Sequence, residues 1–569
     1  MRFNVMFAAL AAAFLAACAT APVAPHYDVI ISGGNVYDGT GAPPVVTDVG
    51  ITGDRITAIG NLAGVPATTR VDASGMAVSP GFINMLSWAT ESLIEDGRSQ
   101  SDIRQGVTLE VMGEGDSMGP LTDAMRADMI EHQSYVTYDV PWTTLGEYLD
   151  YLVERGISTN IASYVGATTL RVHEIGYTDR PPTPEELARM QDLVRQAMRE
   201  GALGVGSSLI YAPAFYADTD ELIALVAAAA EFDGGYISHM RSEGDRFLQA
   251  IDELIAISRA TGARAQIYHL KPAGVANWPL SAQGLARLDA ARAEGLDITA
   301  DIYPYTAGAT GLDAAMPPWV QEGGFDAWRA RLQDPAIRRR VLAEMRGPAQ
   351  GWESLYQLAG GAQNVILIGF RNPALRQYTG QTLAQVAAAR HATPEDTMID
   401  LVIEDNSRVD TAYVVMSEEN IERNIRWPYT MIGSDAPSLA PEGASLQFNP
   451  HPRTYGAFAR FLGHYVRDRH VISLEEAIRR LTSLPAESIA IRERGRLQAG
   501  YYADIVIFDP ATIADHSTFE QPHQYSTGVR DVFVNGVQVL RNGEHTNARP
   551  GQVVRGPGWM GWEEEGQRR

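Results

Sequence analysis

Apolar and polar positions alternate along the chain in two different rhythms. Between Tyr27 and Ser79 short apolar runs are cut by Gly, Asp and Asn: Asp28-Val29-Ile30-Ile31 before Gly33-Gly34, then Val36-Tyr37, Val49-Gly50-Ile51 and Arg55 to Ile59. Such runs predict short strands. The same rhythm returns at Ala503 to Phe508 and at Val532 to Val537. Two β segments flanking a long middle predict one small composite β-sandwich domain, built from residues 27–79 plus 488–555.

The middle changes period. Thr183-Pro184-Glu185-Glu186 reads as an N-cap, a first-turn proline and a capping-box Glu. Leu187, Met190, Val194 and Met198 then recur at helical spacing, and Gly201 ends the helix. Strands over Leu203 to Ser208, Tyr236 to Met240, Ala265 to Leu270 and Ile298 to Tyr303 alternate with helices near Asp220 to Phe232, Asp245 to Ala260 and Gln283 to Glu294. Repeated βα units predict a parallel sheet. Over residues 80–487 the closed (β/α)8 TIM barrel fits best. A doubly wound open sheet is the alternative, but no GxGxxG follows a first strand.

Composition narrows the class of partner. The 569 residues are 45% hydrophobic and 20% charged, with a formal net charge of −23 and no dense Lys/Arg run. That balance argues against nucleic acid and fits a small-molecule substrate. The one cysteine, Cys18, precludes a disulfide within the chain and a cysteine ligand in the barrel. Arg2, the apolar run Val5 to Ala17 and Leu15-Ala16-Ala17-Cys18 resemble a bacterial lipoprotein signal. The expectation is a signal peptide over 1–17, an acylated Cys18 and a tether over 18–26. The lipid anchor would be the only membrane contact. Ala19 after the cysteine points, by resemblance to the sorting rule, to the periplasmic side of a Gram-negative outer membrane.

In a barrel of this kind reactive groups gather where strands end at the C-terminal face. His239 ends Tyr236-Ile237-Ser238-His239 and His269 ends Ala265 to His269, 30 residues apart (269 − 239), one βα unit. Two imidazoles at adjacent strand ends can converge on one metal ion. Asp435, after Thr430 to Ser434, is placed as a general base. Gly113-Glu114-Gly115-Asp116-Ser117 offers two carboxylates, one of which would complete the metal site. Tyr211, Pro213 and Phe215 stand on a loop that either lines the pocket or anchors itself there.

Seven segments then carry a resemblance: Ser79-Pro80-Gly81-Phe82-Ile83, Ser238-His239-Met240-Arg241, Tyr268-His269-Leu270-Lys271, Asp301-Ile302-Tyr303-Pro304-Tyr305, Ile432-Gly433-Ser434-Asp435, His451-Pro452-Arg453 and Ala499-Gly500-Tyr501-Tyr502-Ala503-Asp504. Together, in this order, they resemble the N-acyl-D-amino-acid deacylase (D-aminoacylase) branch of the amidohydrolase superfamily. The resemblance implies that His239 and His269 hold a zinc ion and that Asp435 is the catalytic aspartate. It also implies that Arg453, Lys271 and Tyr303 handle the substrate carboxylate and carbonyl.

Three departures qualify it. Where the family has His-x-His after its first strand, this chain has Leu86 and Trp88, which cannot bind zinc, so a two-metal site is not expected. The family's cysteine ligand is replaced, with Glu114 the nearest candidate. Ala309, with Thr310 beside it, takes the place of a small polar residue. The expected enzyme uses one divalent ion, Zn2+ or Mn2+, held by Glu114, His239 and His269. It splits the amide of an N-acyl amino acid, giving a carboxylic acid and a free amino acid. Alternatives are hydrolysis of dipeptides, cyclic amides or lactones, and a degenerate periplasmic binding lipoprotein.

Overall fold

The computed structural model describes residues 26–133 and 135–564. The signal peptide expected over 1–17, Cys18 and the tether residues 19–25 lie outside the described residues.

The centre is a ring of parallel strands. Phe82–Asn84, Val107–Met112 and Asn160–Ser163 pair in sequence order. After Tyr164 the third strand resumes as Val165–Gly166 and pairs with Gly204–Ser208; Gly235–His239, Ala265–Ile267, Ile298–Ile302 and Thr430–Ile432 follow. The seam between the eighth and first strands is closed by Met85 donating to the Ile432 carbonyl at 3.4 Å and by a parallel bridge between Ser87 and Ala436. This is the (β/α)8 barrel. Every residue of Val107–Met112 and Gly235–His239 is buried, as strands covered on both faces must be. One apolar cluster, with Ile83, Leu109, Val111, Tyr164, Ile237 and Met431, fills the interior, so the barrel is a packed core and chemistry is confined to its rim.

The helices follow from their caps and stripes. Pro184–Arg199 starts at a complete Thr183/Glu186 capping box and buries Met190, Val194, Ala197 and Met198. Thr219–Ala230 is capped by Asp218, and Phe247–Thr261 ends at Gly262 in the left-handed region. Among the described residues no helix is long and apolar enough to cross a membrane.

The strands of both chain ends are hydrogen-bonded as one nine-stranded mixed sheet. Its joint is Ile505–Phe508, antiparallel to Ala77–Pro80. That pairing sets the C-terminal strands beside the segment that feeds the first barrel strand.

An insertion separates the seventh and eighth barrel strands. Ala307–Gly311, Asp410–Val414 and Val365–Gly369 form a small antiparallel sheet, accompanied by helices such as Phe325–Gln333, Pro335–Arg346 and Pro394–Asp405. It reaches the barrel rim through several hydrogen bonds. His451 Nε2 meets the Ala307 carbonyl at 2.9 Å, and Glu353 Oε2 accepts from Ser242 Oγ and from the Glu243 and Gly244 amides at 2.7–2.8 Å.

Candidate active site

Four strand ends place the candidate groups. Glu114 stands two residues past the second strand, after Gly113 at φ +104°. A Cβ on Gly113 would lie 2.4 Å from the Tyr164 carbonyl oxygen, so the turn that delivers Glu114 requires glycine. His239 ends the fifth strand. His269 lies two residues past the sixth strand at φ +35°, and Asp301 Oδ1 accepts its amide at 2.8 Å. Asp435, at φ +51°, donates its amide to the Leu86 carbonyl at 2.8 Å. Left-handed backbone at such residues costs about 1–3 kcal/mol each and persists where the surroundings over-determine it.

These ends bring Glu114, His239 and His269 into one buried cluster whose possible ligand atoms lie within 4.8 Å of one another. Glu114 Oε1 is 3.1 Å from His239 Nδ1 and 3.0 Å from His269 Nε2. Donor atoms around a tetrahedral ion with bonds near 2.0 Å are separated by about 3.3 Å, so the cluster fits one divalent ion with little adjustment. Burial pushes the Glu114 carboxyl up, but the hydrogen bonds from both imidazoles hold it below the usual carboxylate range. Asp116 is exposed instead, its amide donating to the Glu114 carbonyl at 2.9 Å.

A buried charge chain backs the cluster. Lys271 Nζ donates to Glu243 Oε1 at 2.6 Å, and His269 Nδ1 lies 2.9 Å from the same oxygen. Burial raises the Glu243 carboxyl, but the Lys271 and His269 charges hold it at about 2. Glu243, with Lys271 Nζ 2.8 Å from the same nitrogen, thus holds the ring of His269 with Nε2 toward Glu114, the usual task of outer partners of a metal-binding imidazole. Lys271 already has a carboxylate partner here. Sequence reasoning missed Glu243; its signal is a lysine expected in a buried site, which needs an anion nearby.

Arg453 Nη1 pairs with Asp435 Oδ2 at 2.7 Å, both side chains buried. Burial raises the Asp435 carboxyl, with the Arg453 charge opposing. The Arg453 guanidinium lies 4.5 Å from the centre of the Tyr303 ring, and Lys271 Nζ 5.6 Å from it. Ala309 contributes its carbonyl to Arg453 Nη2 at 3.4 Å, whereas Thr310 Oγ1 accepts from Arg408 at 3.1 Å. Tyr211 brings its ring within 5.4 Å of His239, so the loop that carries it does reach the site. Trp88 Nε1 donates to both Glu114 Oε2 at 2.9 Å and Asp435 Oδ1 at 3.1 Å.

Comparison with known proteins gives the family. Residues 69–540 match the model of the amidohydrolase family. A D-aminoacylase of Alcaligenes xylosoxydans xylosoxydans is 34% identical over 532 residues, covering 93% of this chain and 97% of that protein. The crystal structure of N-acyl-D-glutamate deacylase from Bordetella bronchiseptica, complexed with zinc and a phosphonate mimic of the tetrahedral intermediate, superposes with a TM-score of 0.78 at 31% identity, over 93% of this chain and 100% of that one. A D-aminoacylase structure described for its binuclear centre, with one-metal activation and second-metal attenuation, gives 0.77 at 33% identity over the same shares. The chain belongs to the amidohydrolase family, in its D-aminoacylase branch.

Proposed function

We propose that this amidohydrolase cleaves the amide bond of N-acyl-D-amino acids with a single divalent ion, releasing a carboxylic acid and a free amino acid. The observation that carries the reading is the convergence of Glu114 Oε1, His239 Nδ1 and His269 Nε2 beside Asp435. The D configuration is supported by relatives named as deacylases of D-amino acids. The single ion is supported by Leu86 and Trp88 at the end of the first strand, which offer no ligand.

Glu114, His239 and His269 would hold the ion, zinc by its preference for this donor set, with manganese as the harder alternative. When bound it would polarise the scissile carbonyl and lower the pKa of a water toward ~7. Asp435 takes the proton of the attacking water and delivers it to the leaving amine. Arg453 turns from Asp435 to the substrate carboxylate, which its planar fork can grip with two parallel hydrogen bonds. Lys271, neutralised by Glu243, lies beside the Tyr303 ring and completes the wall on that side. Tyr303 orients the carbonyl.

A panel of acylated D- and L-amino acids, dipeptides, cyclic amides and lactones, assayed with and without chelator, tests the proposal. Chelator-sensitive cleavage confined to acyl D-amino acids is expected. Preference for another bond would move the substrate class, and no cleavage of any would favour a binding protein. We also propose a lipid anchor at the outer membrane, a reading supported by Leu15-Ala16-Ala17-Cys18 and Ala19 alone. Cys18→Ala should then leave it unlabelled by radioactive palmitate; persistent labelling would refute the anchor.

A further inference from the structure

Trp88 sits between the two carboxylates that the proposed reaction depends on. Its backbone is pinned by a hydrogen bond from its amide N–H to the Ala436 carbonyl at 3.0 Å, beside the bridge that closes the barrel. Its Nε1–H points at Glu114 Oε2 (2.9 Å) and Asp435 Oδ1 (3.1 Å) at once. The other oxygen of each carboxylate is committed elsewhere. Glu114 Oε1 faces the two imidazoles, and Asp435 Oδ2 faces Arg453. Two buried anions therefore aim their remaining oxygens at one point. Such a point needs either a cation or a donor. A cation there would find no ligand from the first strand, because Leu86 is apolar and the indole offers only a donor.

We infer that Trp88 is a positioning residue whose indole N–H bridges Glu114 and Asp435 at the point a second cation would need. It holds Glu114 as a one-oxygen ligand, keeps Asp435 aimed at the water, and restricts the site to a single ion. The inference rests on the single-metal hydrolase reading above. It adds to it the device that makes one ion sufficient: a fixed dipole in place of a charge that could exchange.

The test uses the full chain loaded with Co2+, and a Trp88→Phe variant that keeps a ring but loses the N–H. The unmodified chain should bind about one Co2+, and a large excess should add none. Trp88→Phe should still bind about one. With Oε2 released, however, Glu114 can bind through both oxygens, so the visible Co2+ absorption should weaken as the coordination number rises. Turnover should fall about 10- to 100-fold, the range for loss of an outer partner, with KM little changed. A variant with unaltered spectrum and unaltered kcat would overturn the inference, as would uptake of a second Co2+ by the unmodified chain. A second variant keeps the inference testable if Trp88→Phe does not fold: Trp88→His puts an imidazole ligand at the same point and should take up a second Co2+ at large excess, and continued binding of one ion would overturn the inference. Failure of every one of these proteins to bind any Co2+ would instead refute the metal-dependent reading, and the inference with it.

Discussion

Asp435 has both carboxylate oxygens engaged, one by Arg453 and one by Trp88. In the proposed role of general base it should be replaceable by Asn with the metal retained and turnover lowered at least ~100-fold. Near-normal turnover of Asp435→Asn, measured on metal-loaded protein, would remove it from that role. Arg453 has two effects to separate. Its charge lowers an Asp435 pKa that burial has raised. Hydrolysis needs the ionised form, so activity is lost as pH falls through that pKa. Arg453→Ala removes the opposing charge, so the acid limb of kcat/KM should move to higher pH while KM for carboxylate substrates rises. A profile that stays put or moves down would contradict this coupling. His239, His269 and Asp435 were legible because each is a polar residue closing an apolar run. Glu243 and the use of Trp88 were not, since each depends on which partner another strand end presents.

At the scale of elements, the site is built by how strands stop. The sixth and eighth strands end at Ile267 and Ile432, earlier than their apolar runs suggest. The chain then turns through left-handed residues that aim His269 and Asp435 inward. Periodicity shows where a strand can run, not where its neighbour ceases to pair with it. The helix at Pro184–Arg199 was readable in detail because caps and stripes are local. The insertion was not readable, because its sheet pairs Ala309 with Ala412 across a long stretch of helices. The turn after the second strand gives the sharpest test at this scale. Gly113→Ala strains a φ of +104° and drives a Cβ against the Tyr164 carbonyl. It should displace Glu114 and lower zinc affinity by about 10- to 100-fold, measured by competition with a chromophoric chelator. Unchanged affinity would show that the turn does not set the ligand.

At the scale of the molecule, the C-terminal strands are tied to the barrel. Asn535 Nδ2 donates to Asn160 Oδ1 at 2.8 Å and Asn160 in turn reaches Asp504, so the C-terminal strands are fastened to the third barrel strand. That the two β segments belong together was visible in their shared rhythm. The hydrogen bonds that dock them on the barrel were not, since they join residues far apart in sequence. An ion held by three strand ends, as proposed, would also couple the fold to its ligand. Chelation should therefore lower the thermal unfolding midpoint, by mass action worth about 2.7 kcal/mol when free metal exceeds Kd 100-fold. Equal midpoints with and without chelator would mean the cluster holds no ion in the folded chain. The most direct test of the central claim is metal content per purified chain by elemental analysis, for the unmodified protein and for His239→Ala/His269→Ala. About one equivalent of zinc or manganese, absent from the variant, is the result expected of a single-ion amidohydrolase. Two equivalents, or none after reconstitution, would contradict it.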